Sequence, residues 1–401
     1  MVSLFDSLEV LPEDPILGLA PLYKNDQRKE KVNLGIGTYK DEQGASVVFS
    51  AVKEAEKELL GKKLDKEYQP IDGDLRFKEA IASVLFGEHA PAVKDTAAII
   101  ETLGGSGAIR LAGDLLMRSG IETVSIPDPS WSNHFGLLKN IKNLPAYPYY
   151  DTRDNTLSFD LMLKALKNLP DKSAVLFHAS CHNPTGEDLS LEQWEELEAL
   201  TGQKNLLPLF DFAYHGYKAG IGEDLKPLLH FFKKGREFLI CYSLSKSLSL
   251  YGERVGALVA VTSSRDAKKK VLSQVKNLIR QAYSSPPLHG ARLAETVFLS
   301  KELRSSWENE LATVRQRILS MRTAFAAKWE ALFEERCFDH VKRQHGLFSL
   351  TGLTKIQVLA LREEFAIYMP DNGRINFAGL NEGNLDYTLN SIAHVKRASR
   401  K

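Results

Sequence analysis

Cysteine is scarce in this chain: Cys181, Cys241 and Cys337 are the three thiols in 401 residues, far apart and without a C-x-x-C pair. Neither a disulfide framework nor a thiolate zinc site is suggested, and the reducing cytoplasm is the expected compartment. Net charge is nearly absent too, since 52 basic side chains face 51 acidic ones and leave +1. No field remains to gather nucleic acid or an anionic membrane, so neither is expected as a partner. No apolar run approaches a bilayer span. The opening MVSLFDSLEV carries Asp6 and Glu9 and lacks the basic and long apolar regions of a secretory leader. Missing as well are a Gly-x-Gly-x-x-Gly fingerprint and a Walker Gly-Lys-Ser/Thr, which disfavours a dinucleotide or NTP site.

What is present is the composition of an ordinary globular protein, 43% hydrophobic and 26% charged. The length suits one large domain with a smaller companion. DPILGLAPL, Asp14 to Leu22, is interrupted by Pro15 and Pro21 and reads as an arm lying on another surface rather than an independent helix. VNLGIGTYK, Val32 to Lys40, reads as a short strand ending in Gly35 and Gly37, with Val52 to Leu60 a helix after it. From there apolar strands alternate with amphipathic helices, the pattern of an α/β sheet covered on both faces. The strands are Thr96 to Thr102, Thr123 to Pro127, Ala174 to Cys181, Leu206 to Phe212, Phe238 to Tyr242 and Gly256 to Val261. Leu191 to Leu200 and Lys269 to Arg280 read as helices, and Leu288 to Glu335 as a long helical stretch with a break near Ser300. GLFSLTGL, VLALREEF and GRINFAGL then read as strand, helix and strand of an α+β unit that the N-terminal segment joins.

Four strand ends carry chemistry. LGGSGAIRLAGDLL turns through Gly104, Gly105 and Gly107 into a helix, so backbone N–H groups and the helix dipole face any anion placed there. HNPTG, His182 to Gly186, follows the third strand, and His178 and His182 share no helical face, which favours core and turn roles over metal ligation. Asp211 ends an apolar strand, either as a cap or as the buried partner of a cation. Lys246 lies in SLSKSLSLYGERVG, with Ser243, Ser245 and Arg254 in the same loop; taken singly it reads as a solvated lysine. Trp131, in DPSWSNH, is either core or a ring that stacks on a planar ligand. In a parallel sheet such ends converge on one crevice. A phosphate cradle, an amine, a buried carboxylate and a stacking aromatic together are what pyridoxal 5'-phosphate requires.

HNPTG, LFDFAY, S-x-S-K and ERVG, in this order, resemble the fold-type I, pyridoxal-phosphate-dependent aspartate/aromatic aminotransferase family, over nearly the whole chain from DPILGLA to GRINFAGL. The resemblance implies a large domain at 41–300 with a mostly parallel sheet between helices. A smaller α+β domain at 301–401 is completed by the arm at 1–40. It implies a homodimer with shared sites, in which Tyr68 reaches the phosphate of the second subunit. Lys246 is implied as the Schiff-base lysine and proton carrier, Asp211 as the partner of the pyridinium, Asn183 and Tyr214 as donors to the ring O3′, and Trp131 as the stacking aromatic. Gly105, Ser106, Ser243, Ser245 and Arg254 would hold the phosphate. His134 and His178 match positions behind the ring, His178 as a support for Asp211. Arg374 and Gly37 match receptors of the substrate α-carboxylate, and Arg280 matches the arginine that crosses the dimer to a dicarboxylate's distal group.

Where typical aspartate-specific members have TPGGTG, GLYNERVG and YSNPP, this chain has TLGGSG, SLYGERVG and YSSPP, resembling the bacterial aromatic branch. The expected activity is therefore ping-pong transamination between tyrosine, phenylalanine or aspartate and 2-oxoglutarate or oxaloacetate. The alternatives are a strict aspartate aminotransferase, a lyase or decarboxylase on the same scaffold, and a non-catalytic cofactor-binding regulator.

Overall fold

The structure, a computed structural model, describes residues 3–398. The apolar runs pair into a seven-stranded sheet in the order Ala97–Leu103, Val255–Val261, Phe238–Ser243, Leu207–Phe212, Ala174–His178, Val124–Asp128, Ala146–Pro148. Pairing is parallel from Phe238–Ser243 through to Ala146–Pro148. Val255–Val261 runs against both of its neighbours. Two reversals cancel, so Ala97–Leu103 points the same way as Phe238–Ser243 and both chains leave the sheet at one edge. Gly256 stands in register with Ser243 and Thr102. A Cβ there would lie 2.7 Å from the carbonyl carbon of Gly104, so only glycine lets these strand ends approach so closely.

Both faces of the sheet are covered because successive side chains alternate between them. Leu176, Leu209, Cys241 and Leu258 pack with helices Gly104–Arg118 and Arg265–Ala282 on one face. Phe177 and Phe210 meet Trp194 and Phe231 on the other. Beyond the sheet, Val32–Asn33 pairs in parallel with Ile367–Tyr368, and Phe348–Leu350 pairs antiparallel with Arg374–Asn376. These pairings bring the N-terminal stretch against helices Lys301–Phe333, Lys355–Phe365 and Glu382–Ala398 of the C-terminal part.

The helical break expected near Ser300 is present: that residue is extended, and its Oγ accepts from Leu303 N at 3.2 Å to start the next helix. Two local expectations change. Of Val32 to Lys40 only the first two residues pair as strand, because Asn33 Oδ1 accepts from Gly35 N at 3.1 Å and turns the chain. The arm does contain a helix, Leu19–Asn25, since Pro21 falls in its first turn, where a missing N–H costs nothing. Helix Leu75–Phe86 went unread, although Asp74 capping Arg76 N at 2.7 Å ahead of Phe77, Ile81 and Val84 is a legible start signal. Among the described residues no helix is long and apolar enough to cross a membrane.

Candidate active site

Strand Phe238–Ser243 passes into the short helix Leu244–Ser247, which Ser243 caps by accepting from Ser245 N at 3.3 Å. Lys246 is thereby fixed at the sheet edge, its carbonyl accepting from Tyr217 Oη at 3.1 Å and its Nζ 5.4 Å from the ring centre of Tyr214. Burial pushes its amine down to about 8; the charge of Asp211 opposes that fall and those of Arg254 and Arg374 add to it. Burial also pushes the Tyr214 hydroxyl well up, so it remains a donor.

Asp211 is buried near the end of its strand and meets His134, whose Nε2 lies 2.9 Å from Oδ2. The other ring nitrogen of His134 lies 2.8 Å from Ser130 Oγ. Nε2–H donates to the carboxylate, and Nδ1 shares a hydrogen bond with the Ser130 hydroxyl. Burial by itself would raise the Asp211 carboxyl, but the His134 bond and nearby positive charge hold it below its ordinary value. Support for Asp211 was expected from His178, but no hydrogen bond joins the two. His178 stands beside Asp211 in register, yet its ring packs edge-on against His134 at 5.1 Å and its Nε2 is buried without a partner. Burial pushes it down to about 3, so it is a neutral filler behind the pair. His182 stacks on Tyr149 and bonds Thr185 at 2.9 Å; among the described residues no acidic, histidine or cysteine cluster fits a metal.

A ready anion cradle lies on the same edge. Gly104, at φ +65°, and Gly105 open helix Gly104–Arg118, whose first-turn N–H groups have no partner inside the helix. A Cβ on Gly104 would lie 2.7 Å from Arg254 Nη2, and one on Gly105 would lie 2.9 Å from Ser243 Cβ. Arg254 is held over this turn by Nη1 donating to Ser245 Oγ and Tyr251 O, both at 3.1 Å. With Ser106 in the first turn, N–H groups, hydroxyls and a guanidinium converge as a phosphate dianion demands.

Across the crevice, Arg374 is 3% exposed and has no carboxylate partner among the described residues. Nη1 donates to Asn183 Oδ1 at 3.0 Å, Nη2 to Gly35 O at 2.7 Å, and Nε is buried with nothing to bond. Burial lowers its pKa to about 10. Such a cation is built to receive an anion. Phe348 backs it, its ring centre 3.9 Å from Cζ, and presses on Gly37, where a Cβ would lie 2.8 Å from the ring. A cleft of about 250 Å³ opens here, lined by Ile16, Trp131, Asn183, Pro184, Asn372 and Arg374 among others. Half-buried Trp131 crosses His134 at 5.2 Å.

The sequence matches the family described as aminotransferase class I and II over residues 29–392. The chain belongs to that family. This aminotransferase is 42% identical over 395 residues to the aspartate aminotransferase of Escherichia coli (strain K12), covering 98% of this chain and 100% of that one. It is 41% identical to an aromatic-amino-acid aminotransferase from Burkholderia pseudomallei solved covalently bound to pyridoxal phosphate, covering 98% and 100% of the two chains with a TM-score of 0.94. An aromatic amino acid aminotransferase from Psychrobacter sp. B6, cocrystallised with aspartic acid, is 37% identical over 98% of this chain and 100% of its own, with the same TM-score of 0.94.

Two residues expected at the site stay apart from the crevice of a single chain. Tyr68 is 91% exposed, and Arg280, near the end of helix Arg265–Ala282, is also exposed. Sequence reasoning passed over Ser130, Tyr217 and Phe348. Ser130 precedes His134 by one helical turn, a spacing that was visible; Phe348 is one apolar residue among many, and only pairing with Arg374–Asn376 reveals it.

Proposed function

We propose that this aminotransferase exchanges the amino group between aromatic or dicarboxylic L-amino acids (tyrosine, phenylalanine, aspartate) and 2-oxoglutarate or oxaloacetate, in two half-reactions of a ping-pong cycle. The observation that carries this reading is one half-buried, desolvated amine, Lys246, near a histidine-bonded aspartate and an arginine whose buried Nε lacks a partner among the described residues.

Its cofactor is pyridoxal 5'-phosphate, which supplies, when bound, an aldehyde carbon for the amino group and a ring that takes up the electron pair left on Cα. Gly105, Ser106, Ser243, Ser245 and Arg254 hold the phosphate, with Tyr68 added from a second subunit. Asp211, kept anionic and oriented by His134, would hold a proton on the pyridine nitrogen, with His178 packed behind the pair. Asn183 and Tyr214 donate to the ring oxygen, and Trp131 lies against the ring. Arg374, with Gly37, takes the α-carboxylate and so orients the Cα–H bond toward Lys246. Neutral Lys246 would accept that proton at Nζ and carry it through a 1,3-shift, a role that its lowered pKa suits.

Aromatic and acidic donors share the site in this reading, with Arg280 of the second subunit taking a distal carboxylate. The Psychrobacter aromatic enzyme seen with aspartic acid supports dual use. The Escherichia coli relative, named an aspartate aminotransferase, favours strict aspartate use as the second reading. A homodimer is supported by exposed Tyr68 and by apolar Leu4, Phe5, Leu8, Val10 and Leu11, all exposed on the arm. We also propose the division into 1–40 and 301–401 against 41–300, and a cytoplasmic enzyme whose three thiols are free. The decisive test is Lys246→Ala in the cofactor-loaded enzyme, read as glutamate formed from 2-oxoglutarate: loss by orders of magnitude is expected, and near-full turnover overturns the assignment.

A further inference from the structure

Arg322, in the long helix Lys301–Phe333, is 1% exposed and bonds no carboxylate among the described residues. Its two terminal nitrogens instead collect one hydroxyl and four carbonyls. Nη1 donates to Ser349 Oγ at 2.6 Å and Val341 O at 3.3 Å, and Nη2 to Phe348 O at 2.7 Å, Gly346 O at 2.9 Å and His345 O at 3.2 Å. Its plane lies over the Phe377 ring, 4.5 Å away. Burial lowers its pKa to about 9 against the opposing charges of Asp188 and Glu187, and its Nε is buried without a bond among the described residues, so holding the cation here is costly. Packing alone does not call for it.

The bonded segment explains the arrangement. His345 to Phe348 lies directly on the HNPTG turn: His345 N donates to Gly186 O at 2.7 Å, and Gly186, at φ +72°, has no room for a Cβ against Phe348 O. That turn carries Asn183, and Phe348 carries the ring under Arg374. Both supports of the Arg374 guanidinium thus meet at the carbonyls that Arg322 gathers.

We propose that Arg322 is a positioning residue for substrate recognition: by anchoring the Phe348 carbonyl against the Gly186 turn it sets the plane and place of the Arg374 guanidinium. This rests on Arg374 being the α-carboxylate receptor. A lysine at 322 keeps the charge but offers one nitrogen in place of a planar fork, so it cannot hold five acceptors in this geometry. The expected consequence is a carboxylate-binding defect separate from turnover.

The test compares Arg322→Lys, Ser349→Ala and Phe348→Leu with the parent as cofactor-loaded enzymes. KM and kcat are measured for aspartate, and binding of succinate, a non-reacting dicarboxylate, by thermal shift. Arg322→Lys is expected to raise KM and weaken succinate about five- to tenfold with kcat within about twofold; Ser349→Ala shifts them the same way by less. Arg322→Lys combined with Phe348→Leu is expected to cost no more than the worse single change, because both act on one support. Unchanged KM and succinate binding in folded Arg322→Lys, or two effects that simply add, overturns the proposal. Should Arg322→Lys not fold, unaltered KM in Ser349→Ala overturns it instead. Arg374→Lys distinguishes the underlying reading: if that change leaves KM and succinate binding intact, the receptor assignment itself is wrong.

Discussion

Arg374 Nη1 donates to Asn183 Oδ1 at 3.0 Å, joining a strand and a turn that lie 191 residues apart in sequence. That amide and the Gly35 carbonyl on Nη2 orient the guanidinium, while Nε has no partner among the described residues. Arg374→Lys loses the fork that a carboxylate receives in two bonds. We expect kcat/KM for every amino acid donor to fall by about two orders of magnitude, regardless of side chain. Steady-state kinetics with aspartate and phenylalanine check this, and a loss confined to one donor would contradict the assignment.

The Lys246 amine gives a pH signature in the protein freed of cofactor. Its folded pKa, about 8, lies below the ordinary 10.5 because burial penalises the ammonium. The folded chain therefore binds fewer protons between those values, and the penalty is fully present below pH 8 and fades as pH rises toward 10.5. Lys246→Met is expected to raise the thermal midpoint of this form at pH 7 by more than at pH 10. Equal shifts at both pH values would show that the amine is not desolvated.

Two histidines sit behind Asp211, and only one bonds it. His134→Asn is expected to weaken cofactor retention by about tenfold, since the carboxylate loses a charge-assisted partner. His178→Asn should change retention far less. Dialysis followed by absorbance of the bound cofactor measures both, and the reverse ranking would restore His178 as the support.

Arg280 separates the substrate readings. In the dual-use enzyme, Arg280→Leu lowers kcat/KM for aspartate by about two orders of magnitude while phenylalanine and tyrosine are unchanged or improved. Parent enzyme that does not turn over aromatic donors at all would establish the strict aspartate alternative.

Glu101 supplies a stability prediction outside the crevice. Its carboxylate is buried, and burial raises its pKa from 4.5 to about 8; the Asp74 backbone N–H opposes that rise, while the charges of Asp74 and Glu295 add to it. The folded state binds the extra proton, so the native contribution is full below pH 4.5 and is lost as pH climbs through 8. Glu101→Gln keeps the shape without the charge. Its midpoint in thermal melts is expected to exceed the parent's at pH 8.5 and to match it near pH 5; a constant offset would mean that Glu101 does not ionise in this range.

Much of this protein is legible locally. Strands that are apolar on both faces need no alternation, and their burial between helix layers follows from that composition. Glycines before an amphipathic helix mark an anion site because backbone N–H groups are exposed there whatever the rest of the chain does. Lys246, Asp211, Asn183 and Arg254 lie in motifs whose spacing survives as sequence, and Arg374 and Gly37 were found by resemblance. What only the tertiary structure decided is which groups touch. The single antiparallel strand, Val255–Val261, could not be told from its parallel neighbours, since direction in a sheet depends on the connections and not on apolarity. His134 rather than His178 reaches Asp211 because a nitrogen, not a ring edge, must point at the carboxylate. Phe348 and Arg322 look like one core residue and one helix-face cation in sequence; they become a support for Arg374 only once strand Phe348–Leu350 pairs with Arg374–Asn376 and the long helix closes over both.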